Sequence, residues 1–380
     1  MPAIIPPHAS PATAPSPPRG QGLDAMKFVA AAAVVWIHTA AEGWWAASVA
    51  ISRFAVPFFA LVSAYALVAG MRSRPDESLV SIARKRVSRL YVPFLVWGAV
   101  YLVLRFIKLR LLHESGPLAA DLAGPPAAIA AGASLWDPVT FFFVGHAQQL
   151  WFLPYICVAS IALAGLVHPL IGKPALERAM GWAFIVAGIV VALVMPPAGP
   201  AIVRSPLDNL AVLGLAATPA LLWGAAAPLL LRVGLGSLCV PRWIGALAAV
   251  ALGLILWGVW TSGWGLGFTG GLGGWGQTDH PALFRMLAFE NLAGVLAAVI
   301  AISLPSVKGP LAWLATLGTL AFGVYLSHIL FIQAARLVQR KAHLADSLPV
   351  DLAFWTIAVI GAVLLSMLMR RFPATRWLIP

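Results

Sequence analysis

Apolar residues gather along this chain in long runs that recur to its last residues, separated by short polar, proline- or glycine-containing segments. Ten such runs occupy 24–44, 47–70, 90–107, 150–171, 181–196, 208–231, 243–262, 283–304, 311–334 and 351–371. A bilayer-spanning helix needs about 20 apolar residues, and each run except the short 181–196 comes close to that length. The pattern predicts an all-α, polytopic membrane protein of about ten transmembrane helices. A further amphipathic or re-entrant piece is expected in 134–146, "SLWDPVTFFFVGH".

Composition agrees with this pattern. Of 380 residues, 61% are hydrophobic and 10% charged, and the mean hydropathy is +0.90. A soluble domain of that length needs far more charge to cover its surface. The net charge of +12 lies in short segments between apolar runs, which fits topology and lipid contact, and no nucleic-acid partner is expected. Arg72, Arg74, Arg84, Lys85, Arg86, Arg89, Lys173, Arg178, Arg370 and Arg371 fall in segments on the N-terminal side of the membrane. Fewer basic residues fall on the other side, so the positive-inside rule places both termini in the cytoplasm, N-in and C-in.

Residues 1–20, "MPAIIPPHASPATAPSPPRG", have no apolar core of a signal peptide and read as a disordered, Pro-rich cytoplasmic tail. Residues 21–380 then form one transmembrane domain. Cys157 and Cys239 are too few for a disulfide framework or a metal site and read as buried thiols. The outer stretch "SGWGLGFTGGLGGWGQTDH" (262–280) lacks the Lys-Ser/Thr ending of a phosphate loop and reads as a flexible loop with interfacial Trp. No convincing internal repeat is visible, which weakens a transporter built from inverted halves.

The first run carries the most telling charges. In "GLDAMKFVAAAAVVWIHTA", Asp24 lies three residues before Lys27 and can pair with it near the cytoplasmic end. Lys27 and His38 are eleven residues apart, which puts them within about 20° of one helix face and about 16 Å apart along the axis. Ionisable groups at that depth mark a pathway or a reaction site. The alternatives are a snorkelling interfacial pair for Asp24 and Lys27, and an interhelical hydrogen bond for His38.

Four other segments carry candidate chemistry. "SIARKRVSRLYVPF" (81–94) presents Arg84, Arg86 and Arg89, with Arg86 and Arg89 spaced i, i+3. Guanidinium groups suit phosphate because their planar fork bonds bidentately. "QLWFLPY" (149–155) opens a helix with Trp151, which also reads as an interfacial aromatic. "FGVYLSHILF" (322–331) places Tyr325 and His328 at i, i+3, either a site or a hydrogen-bonding pair between helices. Glu290 is an intramembrane acid whose neighbour Arg285 lies too far round the helix to be an ideal partner, leaving a histidine as one possibility.

Taken in order, these segments resemble the acyltransferase-3 family of integral-membrane acyltransferases, which modify bacterial surface and exported glycans. "LDAMKFVAAAAVVWIH" resembles the family's first helix, a basic residue followed by ten residues and His; "VPFFALVSAYAL" (56–67) resembles its second. "RKRVSRLYVPFLVW" is similar to its Arg-x-x-Arg motif, "LWFLP" to its fourth helix, and "LGTLAFGVYLSHILF" to its late Tyr-x-x-His segment. The resemblance runs from residue 22 to about 331. Two departures stand out: Lys27 replaces the usual Arg, and Gln149 replaces a frequent His, so Gln149 receives no acid–base role. No outer esterase-like domain is expected after residue 371.

The resemblance implies an acyl-CoA co-substrate bound from the cytoplasm, no permanently bound cofactor, and a glycan or lipid-linked oligosaccharide acceptor across the membrane. Polysaccharide assembly machinery is an expected partner, and a bacterial inner membrane the expected location. In that picture Arg84, Arg86, Arg89, Lys27 and Asp24 bind the donor, and His38 acts as general base or, alternatively, as a transient acyl carrier. Glu290 would orient the imidazole, while Tyr325, His328 and Trp151 stand on the acceptor side. Acetyl is the expected group on an exopolysaccharide or O-antigen unit, with succinyl transfer to periplasmic glucans as the alternative. A glycan transporter using His38 and Glu290 as a proton relay is the rival from another class. A non-catalytic synthase subunit leaves the ionisable face without a purpose.

Overall fold

The computed structural model describes residues 20–39, 46–111, 142–143, 148–194, 206–232, 240–261, 280–304, 306–309 and 312–379. Among them regular structure is helical throughout, as a lipid-embedded chain requires when its backbone must satisfy its own hydrogen bonds. In chain order the helices are α1 (Gln21–Thr39), α2 (Ala46–Ser52), α3 (Ala55–Ser73), α4 (Leu79–Arg86), α5 (Val92–Leu111), α6 (Phe152–Val167), α7 (Pro174–Val194), α8 (Pro206–Leu231), α9 (Arg242–Thr261), α10 (His280–Ser303), α11 (Ala312–Gly318), α12 (Ala321–Lys341), α13 (Leu348–Arg371) and α14 (Pro373–Arg376). Eight stretches are long and apolar enough to cross a membrane, and shorter apolar helices occupy Arg242–Gly258 and Phe289–Ser303. The chain is an all-α polytopic membrane protein.

Helices stand at the places of all ten predicted runs, but several boundaries differ. The run 47–70 is two helices, α2 and α3, broken around Arg53 and Phe54; the run 311–334 is α11 and α12, joined by a turn at 319–320. The run 90–107 belongs to a continuous helical rod, because α4, a π-helical turn (Val87–Tyr91) and α5 follow without a gap. The short run 181–196 gains its length from Pro174 onward, where proline suits a first helical turn. The tail 1–19, Cys239, the 262–279 stretch and all of 134–146 except 142–143 lie outside the described residues.

One helix forms the middle of the bundle. In α3, 72% of the spanning window is buried, against 22% in α7 and 28% in α13, so α3 is central and those two face outward. Helix α1 packs against α3, α10, α11, α12 and α13. Small residues permit the closest crossings, since lipid tails offer no hydrophobic drive and packing must supply the attraction. A Cβ at Gly224 of α8 would meet the Leu61 backbone of α3, and one at Gly318 of α11 would meet the Asp24 backbone of α1.

Polar side chains tie the helices at chosen points. Arg72 at the end of α3 pairs with buried Glu177 in the first turn of α7. In α8, Pro219 disrupts the helical ladder, and Asn291 of α10 enters beside it. The Ala220 N–H donates to Asn291 Oδ1 at 3.1 Å, and Asn291 Nδ2 donates to the Ala216 carbonyl at 2.9 Å. One side-chain amide thus bridges a donor and an acceptor that an uninterrupted helix would pair with each other.

Candidate active site

His38 stands in the last turn of α1 and His328 near the middle of α12, and packing of α1 on α12 brings them together. Their ring centroids are 5.4 Å apart, with 32° between the planes. His328 is fully buried, whereas His38 keeps part of its surface accessible. His328 Nδ1 lies 3.1 Å from the Val324 carbonyl, one turn back, and only a protonated Nδ1 can donate to it. In the neutral ring, Nε2 therefore carries a lone pair, and this nitrogen forms no hydrogen bond.

The end of α1 that carries His38 is fixed by Arg336 of α12. Its guanidinium donates to the Thr39 carbonyl at 2.5 Å and to Asp351 Oδ1 of α13 at 3.0 Å. It also reaches Asp346 at 3.0 Å and Gln339 at 2.6 Å, and lies 5.4 Å from the Phe354 ring centre. A cation on a terminal carbonyl opposes the partial negative charge of a helix C-terminus. Trp355 of α13 adds a second tie, donating from Nε1 to the Ala32 carbonyl at 2.9 Å.

Glu290 forms its ion pair with Arg53. Its Oε1 lies 3.4 Å from Arg53 Nε. Both partners are largely buried, with side chains 22% and 11% exposed for Arg53 and Glu290. The interruption at Arg53 between α2 and α3 supplies the cation. Arg53 is visible in the sequence as a charge inside an apolar run, and Arg336 as a charge just past the end of another, but neither shows its partner there.

At the other end of α1, Asp24 and Lys27 pair at 2.9 Å with the expected i, i+3 spacing. The basic cluster divides. Arg84 and Arg89 are exposed, while Arg86 turns into the bundle and donates to Ser63 Oγ of α3 at 3.3 Å. The π-helical turn begins directly after Arg86, and insertions of this kind are frequent at functional sites. Outside the membrane-length segments, Glu77 gathers Lys85 at 2.5 Å, Arg74 at 3.1 Å and Ser81 at 3.1 Å. The hydrogen bond from Lys85 leads in holding the Glu77 carboxyl below the usual carboxylate range.

Tyr325 lies one turn before His328, with ring centroids 6.3 Å apart, and its hydroxyl donates to the Gln149 main-chain carbonyl. The Tyr101 hydroxyl of α5 donates to the Leu326 carbonyl at 2.6 Å. Trp151 is half-buried and meets the Phe152 ring edge-on and the Tyr155 ring at a tilt; Phe152 in turn meets the Tyr325 ring. Cys157 is a buried free thiol on α6.

The arrangement offers a paired-imidazole centre inside a helical bundle, an adjacent cation, and an inward-turned arginine on the helical rod. A family model described as an acyltransferase domain matches residues 21–371. No curated protein and no solved structure matches the chain.

Proposed function

The chain belongs to the acyltransferase-3 family, and from that premise we propose that it transfers an acetyl group from cytoplasmic acetyl-CoA to a hydroxyl of an extracytoplasmic or lipid-linked glycan. The observation that carries the reading is the contact of His38 with His328 in a bundle interior that Arg86 approaches from the helical rod. Arg84, Arg86 and Arg89 hold the donor phosphates at the cytoplasmic edge of an inner membrane, with Lys27 and Asp24 beside them. The acyl group is presented to His38, and the acceptor hydroxyl arrives from the opposite side.

In the reaction His38 takes the hydroxyl proton as the hydroxyl oxygen attacks the thioester carbonyl carbon. The tetrahedral intermediate collapses with cleavage of the carbon–sulfur bond. The proton then passes from the imidazolium to the departing thiolate, which leaves as the free thiol. Arg53, oriented by Glu290, brings positive charge to the oxyanion. His328, with Nδ1 committed to Val324, accepts a hydrogen bond at Nε2 from a neighbouring hydroxyl of the glycan, not the one that attacks.

The test is incorporation of labelled acetyl from acetyl-CoA into glycan by proteoliposomes, joined to glycan NMR of a deletion strain. The reading expects labelled ester in the first and loss of O-acetyl signals in the second. Glycan movement without ester formation would instead identify a transporter.

A further inference from the structure

Several polar atoms in the bundle interior have no hydrogen-bond partner. Two of them, Arg72 Nε and Glu290 Oε1, belong to residues held in ion pairs; the others are Trp97 Nε1, both polar atoms of the Gln149 amide, and His328 Nε2, on residues 5%, 2% and 0% exposed. An unsatisfied buried donor or acceptor costs about 1–3 kcal/mol, and folded proteins leave few of them. Here they follow one another in space. Trp97 and Tyr101 sit one turn apart on α5, with rings 5.9 Å apart. The Gln149 side chain lies beside the Tyr101 hydroxyl without completing a hydrogen bond. Gln149's own carbonyl is held by Tyr325, and His328 follows one turn later.

The lower end of this series is Arg86, eleven residues before Trp97 on the same helical rod and so about 16 Å below it. From that end to the histidines the order of chemistry is a guanidinium, an N–H donor, an amide that both donates and accepts, and an acceptor nitrogen. A ligand that satisfies it carries phosphate at one end, carbonyl and N–H groups along its middle, and a reacting group at the other end. A thioester donor built on a slender diamide arm has that order. A sugar offers hydroxyls without the terminal phosphate, and an acyl chain offers nothing to the three middle atoms.

Building on the acyl-transfer reading above, we infer that Trp97 and Gln149 bind the secondary amides of the donor's pantetheine arm on its way to His38 and His328. The Trp97 N–H donates to an amide carbonyl, and the Gln149 side chain takes one amide by both of its atoms. These residues select the arm and do not act on the reacting bond.

The test uses the full chain in detergent with three acetyl donors: acetyl-CoA, S-acetylpantetheine, and a simple alkyl thioacetate that has no amide. Trp97→Phe is expected to raise KM for the first two donors by about five- to tenfold, the loss of one hydrogen bond, and Gln149→Leu, which loses two, by more. KM for the alkyl thioacetate stays unchanged. Thermal stabilisation by a fixed concentration of free pantetheine, present in the native protein, is expected to shrink in both variants. Equal KM changes for all three donors, or none for any, would show that the atoms are satisfied by water alone and overturn the inference. Trp97→Phe keeps the ring in place, so it serves if Gln149→Leu fails to fold. If the native protein transfers acetyl from no donor, the acyl-transfer reading fails, and pantetheine stabilisation still decides the binding site.

Discussion

The rings of His38 and His328 lie 5.4 Å apart although 290 residues separate them in the chain. This contact lets both imidazoles face one reacting group. His38→Gln is expected to lower kcat at least about 100-fold, the ordinary contribution of a positioned base. His328→Gln lowers it less, and the double variant is no worse than His38→Gln alone, since groups acting as a unit are not additive. Single-turnover acetyl transfer, with protein amount in the membrane held equal, measures all three.

Arg336 is expected to matter through α1. Arg336→Gln removes the cation from buried Asp351 and the donor from the Thr39 carbonyl. Losing one partner of a buried pair costs several kcal/mol, and partial exposure of this arginine reduces that to about 2 kcal/mol. A lower Tm in detergent is the first readout. A fall in kcat with KM for the donor unchanged, partly restored by Arg336→Lys, would identify positioning of His38.

Asn291→Leu should destabilise the bundle. It leaves the Ala220 N–H and the Ala216 carbonyl without the amide that bridges them beside Pro219. At about 1–3 kcal/mol for each buried group left unpaired, a clear fall in Tm is expected. Asn291→Gln, which keeps the amide but lengthens its arm, recovers only part of it.

Glu77 supplies a pH dependence outside the membrane. A carboxyl held below its ordinary range adds stability above that range and loses it as pH falls through its lowered value. Native protein and Glu77→Gln should therefore differ in Tm at neutral pH and converge in acid. A constant gap across that range would contradict the assignment.

What the sequence discloses here is whatever a single helix determines. The i, i+3 pairing of Asp24 with Lys27 depends only on helical geometry, and the structure has it at 2.9 Å. The positions of the ten apolar runs follow from bilayer thickness and correspond to helices. The break at Arg53 did not show, because an apolar run reads the same whether or not it is continuous. Partners between helices were hidden for a different reason: Glu290 with Arg53 and Arg336 with Thr39 depend on rotation and depth of whole helices, which periodicity does not constrain. The division of the arginines, with Arg86 turned inward and Arg89 outward, depends on a π-helical turn that no spacing rule anticipates.

Helix α1 is fastened near both termini. The Gly22 N–H donates to the Leu304 carbonyl at 3.0 Å, and Arg336 grips the Thr39 carbonyl at the far end. A rod pinned twice cannot slip along its own axis, so the Lys27 and His38 levels, an interval of about 16 Å along it, keep their depth in the bundle. Under the acyl transfer proposed above, that interval would work as a gauge: a donor would be admitted to reaction by its reach, and one too short would stop below the imidazole however well its phosphates were held.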